Sequence, residues 1–138
     1  MAELDKVVLV VDLDKTLCTK KTSNETYADV KPHTEIINAI NTLNNAGAEI
    51  IIESARNMLT QHNDESKVIK NVGLTTLNWL NDNNVQYDGI KFGKTMGTCY
   101  IDDKALRPKE FMKIYNSLEN KNDVKELERR IQEYLDNN

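Results

Sequence analysis

The stretch Lys6-Val7-Val8-Leu9-Val10-Val11-Asp12-Leu13-Asp14-Lys15-Thr16 decides how this chain is read. Its unbroken run of apolar, mostly β-branched residues predicts a strand buried on both faces, as in a parallel sheet. The run ends directly in two acids and a hydroxyl. Downstream the period changes. Ile36, Ile37, Ile40 and Leu43 fall on one helical stripe, with Pro32 suited to the entry and Gly47 to the exit. A second strand is expected over residues 48–53, and a helix over about 65–81 with Val68, Val72, Leu77 and Leu80 on one face. Residues 85–92 and 98–102 read as a third and a fourth strand. Helices are expected over about 108–118 and 122–135. Strands alternating with helices imply right-handed βαβ crossovers. The expected fold is therefore α/β, a Rossmann-like, doubly wound parallel sheet with helices on both faces. Ligands of such sheets bind outside the carboxyl ends of the strands.

The remaining sequence narrows the class. A chain of 138 residues makes a single domain, 1–138, with a C-terminal amphipathic helix at about 122–136. The net charge of −4 and a pI near 5.2 leave no basic footprint, which argues against a nucleic-acid partner. The longest apolar run is far too short to span a bilayer, so no membrane partner is expected. The N-terminus has no secretory signature, and two cysteines, Cys18 and Cys99, make no disulfide framework. Free thiols in a reducing compartment predict a cytoplasmic protein.

Each expected strand runs into a chemically useful group. The first reaches Asp12 and Asp14, the second Ser54 and Arg56, the third Lys94 and the fourth Asp102 and Asp103. In a parallel sheet these converge on one edge. Several carboxylates there would repel one another unless a cation shared the site. Hard oxygen donors suit Mg²⁺, which keeps waters free for a phosphate. The residues alone thus point to a Mg²⁺ site that holds a phosphoryl group.

The order Asp-x-Asp-x-Thr, Ser, Lys, Asp-Asp, each after a strand, resembles the haloacid dehalogenase (HAD) superfamily of phosphotransferases. Asp12-Leu13-Asp14-Lys15-Thr16-Leu17 is similar to its first motif, with Lys15 where Gly is frequent. Ser54 resembles the second motif, Lys94 the third, with Thr95 where Pro is common, and Asp102-Asp103 the fourth. The stretches Ser54-Ala55-Arg56-Asn57-Met58 and Tyr100-Ile101-Asp102-Asp103-Lys104-Ala105-Leu106-Arg107-Pro108 look like small HAD phosphatases associated with capsular polysaccharide biosynthesis. The resemblance covers about residues 7–111. It implies a HAD-like fold and an Mg²⁺-dependent phosphomonoester hydrolase acting through an aspartyl-phosphate. The substrate would be a small phosphorylated metabolite such as a sugar phosphate.

The resemblance assigns Asp12 as nucleophile and Asp14 as general acid and base. Ser54 and Lys94 would bind phosphate, with Lys91 as the rival lysine, and Arg56 would grip substrate. Asp12, Asp14, Asp103 and Asp102 would hold the metal, Asp103 directly. Glu53 departs from the apolar or Thr residue expected before Ser54, facing either Arg56 or a partner subunit. His33 and His62 read as solvated side chains. The short spans 17–31 and 57–85 leave no room for a cap domain, so a neighbouring subunit is expected to close the site in a homo-oligomer, dimer or tetramer. Val124, Leu127, Ile131 and Leu135 offer a stripe for that interface, or for packing on the chain's own sheet. The alternatives are a polynucleotide 3′-phosphatase, which the absence of a basic groove disfavours, and a non-catalytic binding module such as a receiver domain. A receiver places a single phospho-accepting Asp between the first acidic pair and the Ser/Thr, whereas here Ser54 comes second and the second acidic pair follows the lysine.

Overall fold

The computed structural model describes residues 6–58, 61–62 and 64–138. Three parallel strands, β1 (Val8–Asp12), β2 (Glu49–Ser54) and β3 (Gly89–Phe92), lie in the order β1-β2-β3. Helix α1 (Thr34–Asn45) links the first two and α2 (Glu65–Asp82) the second two. Two further helices follow, α3 (Pro108–Asn116) and α4 (Val124–Asp136). The protein is α/β with a parallel sheet, as expected, and among the described residues no helix is long and apolar enough to cross a membrane.

Local signals place the helix ends. The Asp64 carboxylate accepts from the Lys67 amide at the start of α2, and Asp123 does the same for Glu126 at α4. Pro108 opens α3, and Glu110 reaches back to the Arg107 amide. Past α1, Gly47 takes a φ of 111°, which an L side chain would resist.

One face of the sheet carries the core. Val11, Ile50 and Ile52 point into a single cluster with Ile37, Ile40 and Leu43 of α1, Trp79 and Leu80 of α2, Tyr115 of α3 and Leu127 of α4. The stripe of α4 thus packs on its own domain, with Val124 and Ile131 against the same cluster. A Glu126–Arg130 pair forms at 2.8 Å, and the Tyr134 hydroxyl ties α4 to Glu110 of α3.

Two expectations are corrected. Residues 98–102 form no strand: they are exposed, with a bend at Thr98, and among the described residues the sheet ends at β1. The third strand is shorter than read, because Val85 leaves the end of α2 through Leu80 and the ladder begins only at Gly89. The opposite face of the sheet is open. Val8 and Val10 are 48% and 60% exposed on it. The reason is chirality: in a β1-β2-β3 order two right-handed crossovers put α1 and α2 on the same side.

Trp79 fastens the 17–33 excursion to this core. Its indole nitrogen donates to the Val30 carbonyl at 2.8 Å, and both residues are buried. The excursion closes on itself through Thr19 N to Lys31 O and His33 N to Leu17 O. Trp79→Phe keeps the ring packing but strands that carbonyl. The expected loss is about 1–3 kcal/mol of unfolding free energy in urea, with the secondary structure unchanged.

Candidate active site

The carboxyl ends of β1 and β2 bring two groups of polar side chains to one edge. The first is built on Asp12. The Lys94 ammonium lies 3.3 Å from an Asp12 carboxylate oxygen. Lys94 is held from behind, since its own amide and that of Gly93 both donate to the Ser54 carbonyl at 3.1 Å. Gly93 takes a φ of 95°, and a Cβ there would come within 2.8 Å of the Glu65 side chain. A glycine is therefore what lets the chain turn Lys94 back over the sheet. Burial pushes the Asp12 carboxyl above its ordinary value, and the adjacent Lys94 opposes that shift.

Tyr100 is the member that sequence reasoning missed. Its ring lies 4.5 Å from the Lys94 ammonium, and its hydroxyl donates to the Thr95 carbonyl at 2.7 Å. Only the spacing from Lys94 could have suggested it, because a lone aromatic six residues on carries no periodic signal.

The second group is built on Arg56, which is 1% exposed. Its Nε donates to both Asp14 oxygens, at 3.2 and 3.1 Å, and one terminal nitrogen adds a third bond at 3.0 Å. The other terminal nitrogen donates to the Thr76 hydroxyl at 3.2 Å, and the Tyr27 ring lies 4.5 Å from the guanidinium carbon. Arg56 was expected to grip substrate. The structure instead turns it inward, where its donors are taken up by Asp14, Thr76 and Cys18. Asp14 is correspondingly held on Arg56, with its charge still acting on Asp12.

Ser54 is fully buried at the end of β2, and its Oγ accepts from the Arg56 amide at 3.1 Å. Lys91, the rival lysine, sits in register with Glu53 along the strands, exposed to solvent. Glu53 faces Lys91 and Asp12 across the ladder rather than Arg56. His33 is the residue before α1, with Nδ1 3.1 Å from the Thr16 carbonyl, and His62 is exposed.

Asp102 and Asp103 stay apart. Both are exposed, and Asp102 caps its own loop by accepting from the Lys104 amide at 2.8 Å. The strand that was to carry them to the sheet edge is not formed. Among the described residues no three His, Cys, Asp or Glu side chains converge so as to hold a metal. As placed within one chain, Asp12, Asp14, Asp102 and Asp103 do not fit a shared Mg²⁺, because Lys94 and Arg56 already neutralise the first two.

No family model matches the sequence, and no curated protein matches it. Two solved structures are similar. One is a Vibrio cholerae protein described only as an MCSG target. It is 31% identical, with 93% of this chain and 98% of that chain covered and a TM-score of 0.75. The other is a chain of the Pnkp1/Rnl/Hen1 complex, 18% identical, with 83% of this chain and 35% of that chain covered and a TM-score of 0.47, a likeness too low to carry any argument.

Two measurements check this geometry. Burial and the neighbouring Asp14 push the Cys18 thiol up to about 12, whereas Cys99 is exposed. Iodoacetamide at pH 8 is expected to modify Cys99 alone in the folded protein, with Cys18 reacting only after denaturation. Arg56→Met should cost about 2–4 kcal/mol in urea unfolding, since it leaves the part-buried Asp14 carboxylate without its partner. Arg56→Lys should recover only part of this, having no planar fork.

Proposed function

This chain belongs to the same family as the Vibrio cholerae protein, and from its own residues we propose that it is a HAD-like phosphomonoester hydrolase working through an aspartyl-phosphate. The observation that carries the reading is the Asp12–Lys94 pair, with 3.3 Å between charges at the carboxyl edge of a parallel sheet. That edge is where α/β folds of this kind receive their ligands. A carboxylate nucleophile and a cation for the phosphoryl oxygens are the two groups such chemistry needs at one point.

In this proposal an Asp12 oxygen attacks phosphorus, a P–O bond forms, and the bond to the alcohol oxygen breaks. The leaving oxygen takes a proton from Asp14, which for this must turn its carboxyl from Arg56 and take up a proton from solvent. Asp14 then receives a proton from the water that cleaves the acyl-phosphate, releasing inorganic phosphate and restoring Asp12. Lys94 attracts the phosphoryl oxygens. At about 4 Å and an effective dielectric near 20 one such contact contributes on the order of 4 kcal/mol. Its second duty is to keep Asp12 ionised against its burial. Ser54 supports the pocket from below by fixing the backbone of Lys94 and Arg56. The substrate class is a small phosphorylated metabolite such as a sugar phosphate. The carboxylates of one chain do not fit a magnesium ion, and no step is derived through one.

Rapid quench of the enzyme with a phosphomonoester, followed by intact mass spectrometry, tests the covalent step. Wild type should carry an adduct of about 80 Da, the mass of HPO₃, on a peptide containing Asp12. Asp12→Asn should lose the adduct and lower kcat by about a thousandfold or more. An adduct that survives this substitution sinks the assignment.

A further inference from the structure

Three features of the chain fit one another and are left unjoined within a single molecule. The first is the outer edge of β1. It is the end of the sheet, and Val8, Leu9, Val10 and Val11 carry no charge, proline or bulge to protect it. Edges of this kind pair with another strand. The second is the 98–102 segment, Thr-Cys-Tyr-Ile-Asp, rich in strand-forming residues, exposed throughout, and without a ladder partner among the described residues. Its Ile101 is 97% exposed, which is hard to reconcile with a finished surface. The third is the failure of Asp102 and Asp103 to reach Asp12.

We propose that residues 98–102 of a second copy of this chain add as a parallel strand along the free edge of β1, reciprocally, and that the candidate site is completed by Asp102 and Asp103 of that second copy. The pairing stands on geometry alone. Its consequence for the site rests on the phosphoryl-transfer reading.

The register supports it. If Asp102 stands beside Asp12, then Ile101 stands beside Val11 and Tyr100 beside Val10. Ile101 would enter the core face, where Val11 is already buried. Tyr100 would exchange its contacts with Lys94 and Thr95 for the open face on which Val10 is exposed. The alternation of the segment therefore matches the alternation of β1. The acids would arrive at the carboxyl end of the sheet, next to Asp12.

Chain reach excludes the same molecule as the donor. Lys94 is bound to the Ser54 carbonyl at the top of the sheet and to Asp12. For 98–102 to run parallel to β1 and end beside Asp12, Thr98 must sit four residues lower and at least two strand spacings to the side. That is about 13 Å down and about 10 Å across, a separation of about 16 Å. Four residues of extended chain from Lys94 to Thr98 span at most about 14 Å. A strand running the other way would carry Asp102 to the far end of the sheet. A second copy meets neither limit. A two-fold exchange satisfies both edges at once and closes the assembly.

Crosslinking decides the pairing whether or not the chain hydrolyses any phosphate. In a Val8→Cys/Thr98→Cys/Cys99→Ser chain the two new thiols would be register neighbours, at a spacing that suits a disulfide. Mild oxidation is expected to give disulfide-linked dimers. A bond within one chain, or two thiols left free, overturns the proposal. Light scattering at tens of micromolar should find wild type as a dimer or a larger closed assembly. Ile101→Lys should be monomeric with unchanged circular dichroism, since Ile101 touches little in the single chain. A monomeric wild type overturns the proposal as well.

The shared site has its own readout. Mixed and re-equilibrated Asp12→Asn and Asp103→Asn chains are each inactive alone, but half of the dimers are mixed. Each mixed dimer has one intact site, so about one quarter of wild-type activity should return. No recovery overturns the shared site. A wild type that hydrolyses no phosphomonoester removes the phosphoryl-transfer reading and leaves the crosslinking result standing.

Discussion

The Arg56–Asp14 ion pair is the constraint on which this end of the molecule depends. Arg56 follows β2 and Asp14 follows β1, so the pair ties the exits of two neighbouring strands. Its remaining donors reach Thr76 in α2 and Cys18 in the excursion after β1, and Tyr27 covers it. A guanidinium taken wholly out of water must have its donors matched, or it costs several kcal/mol. Here the match comes from three segments, the exit of β1, the excursion and α2. Burial and the adjacent Asp14 keep Cys18 a neutral thiol, pushed up to about 12, against the opposing pull of Arg56.

A second constraint is the handedness of the crossovers. With strands in the order β1-β2-β3, both connecting helices lie on one face, and α3 and α4 add to the same cluster. The single chain concentrates its core there. Parallel sheets ordinarily bury both faces, so exposed Val8 and Val10 and an unprotected β1 edge mark the part of the fold that one chain leaves open. The exposed apolar stretch around Ile101 is the matching half of that observation.

Much of the molecule was legible in advance. The run Val7–Val11 and the Ile36–Leu43 stripe are local signals, and the elements appear where those signals lie. The Asp12–Lys94 contact was legible too, because both residues follow strands of a parallel sheet and must meet at one edge. Arg56 was read as a group that grips substrate. Its burial depends on Asp14, Thr76 and Tyr27 arriving from elsewhere, and no local pattern reports that. The fourth strand was misread for a related reason. Thr98, Cys99, Tyr100 and Ile101 have strand propensity, but a strand exists only when an edge is within reach.

By itself, then, the sequence determined the parallel α/β character, the boundaries of α1 and α2, and the set of acids and bases at the strand ends, since each follows from the periodicity and capping of neighbouring residues. The tertiary structure alone decided which of those groups meet. It paired Asp12 with Lys94, locked Asp14 onto Arg56 and left Asp102 and Asp103 outside. Such partnerships depend on crossover handedness, chain reach and the need to neutralise a buried charge, and these operate between segments that are distant in sequence.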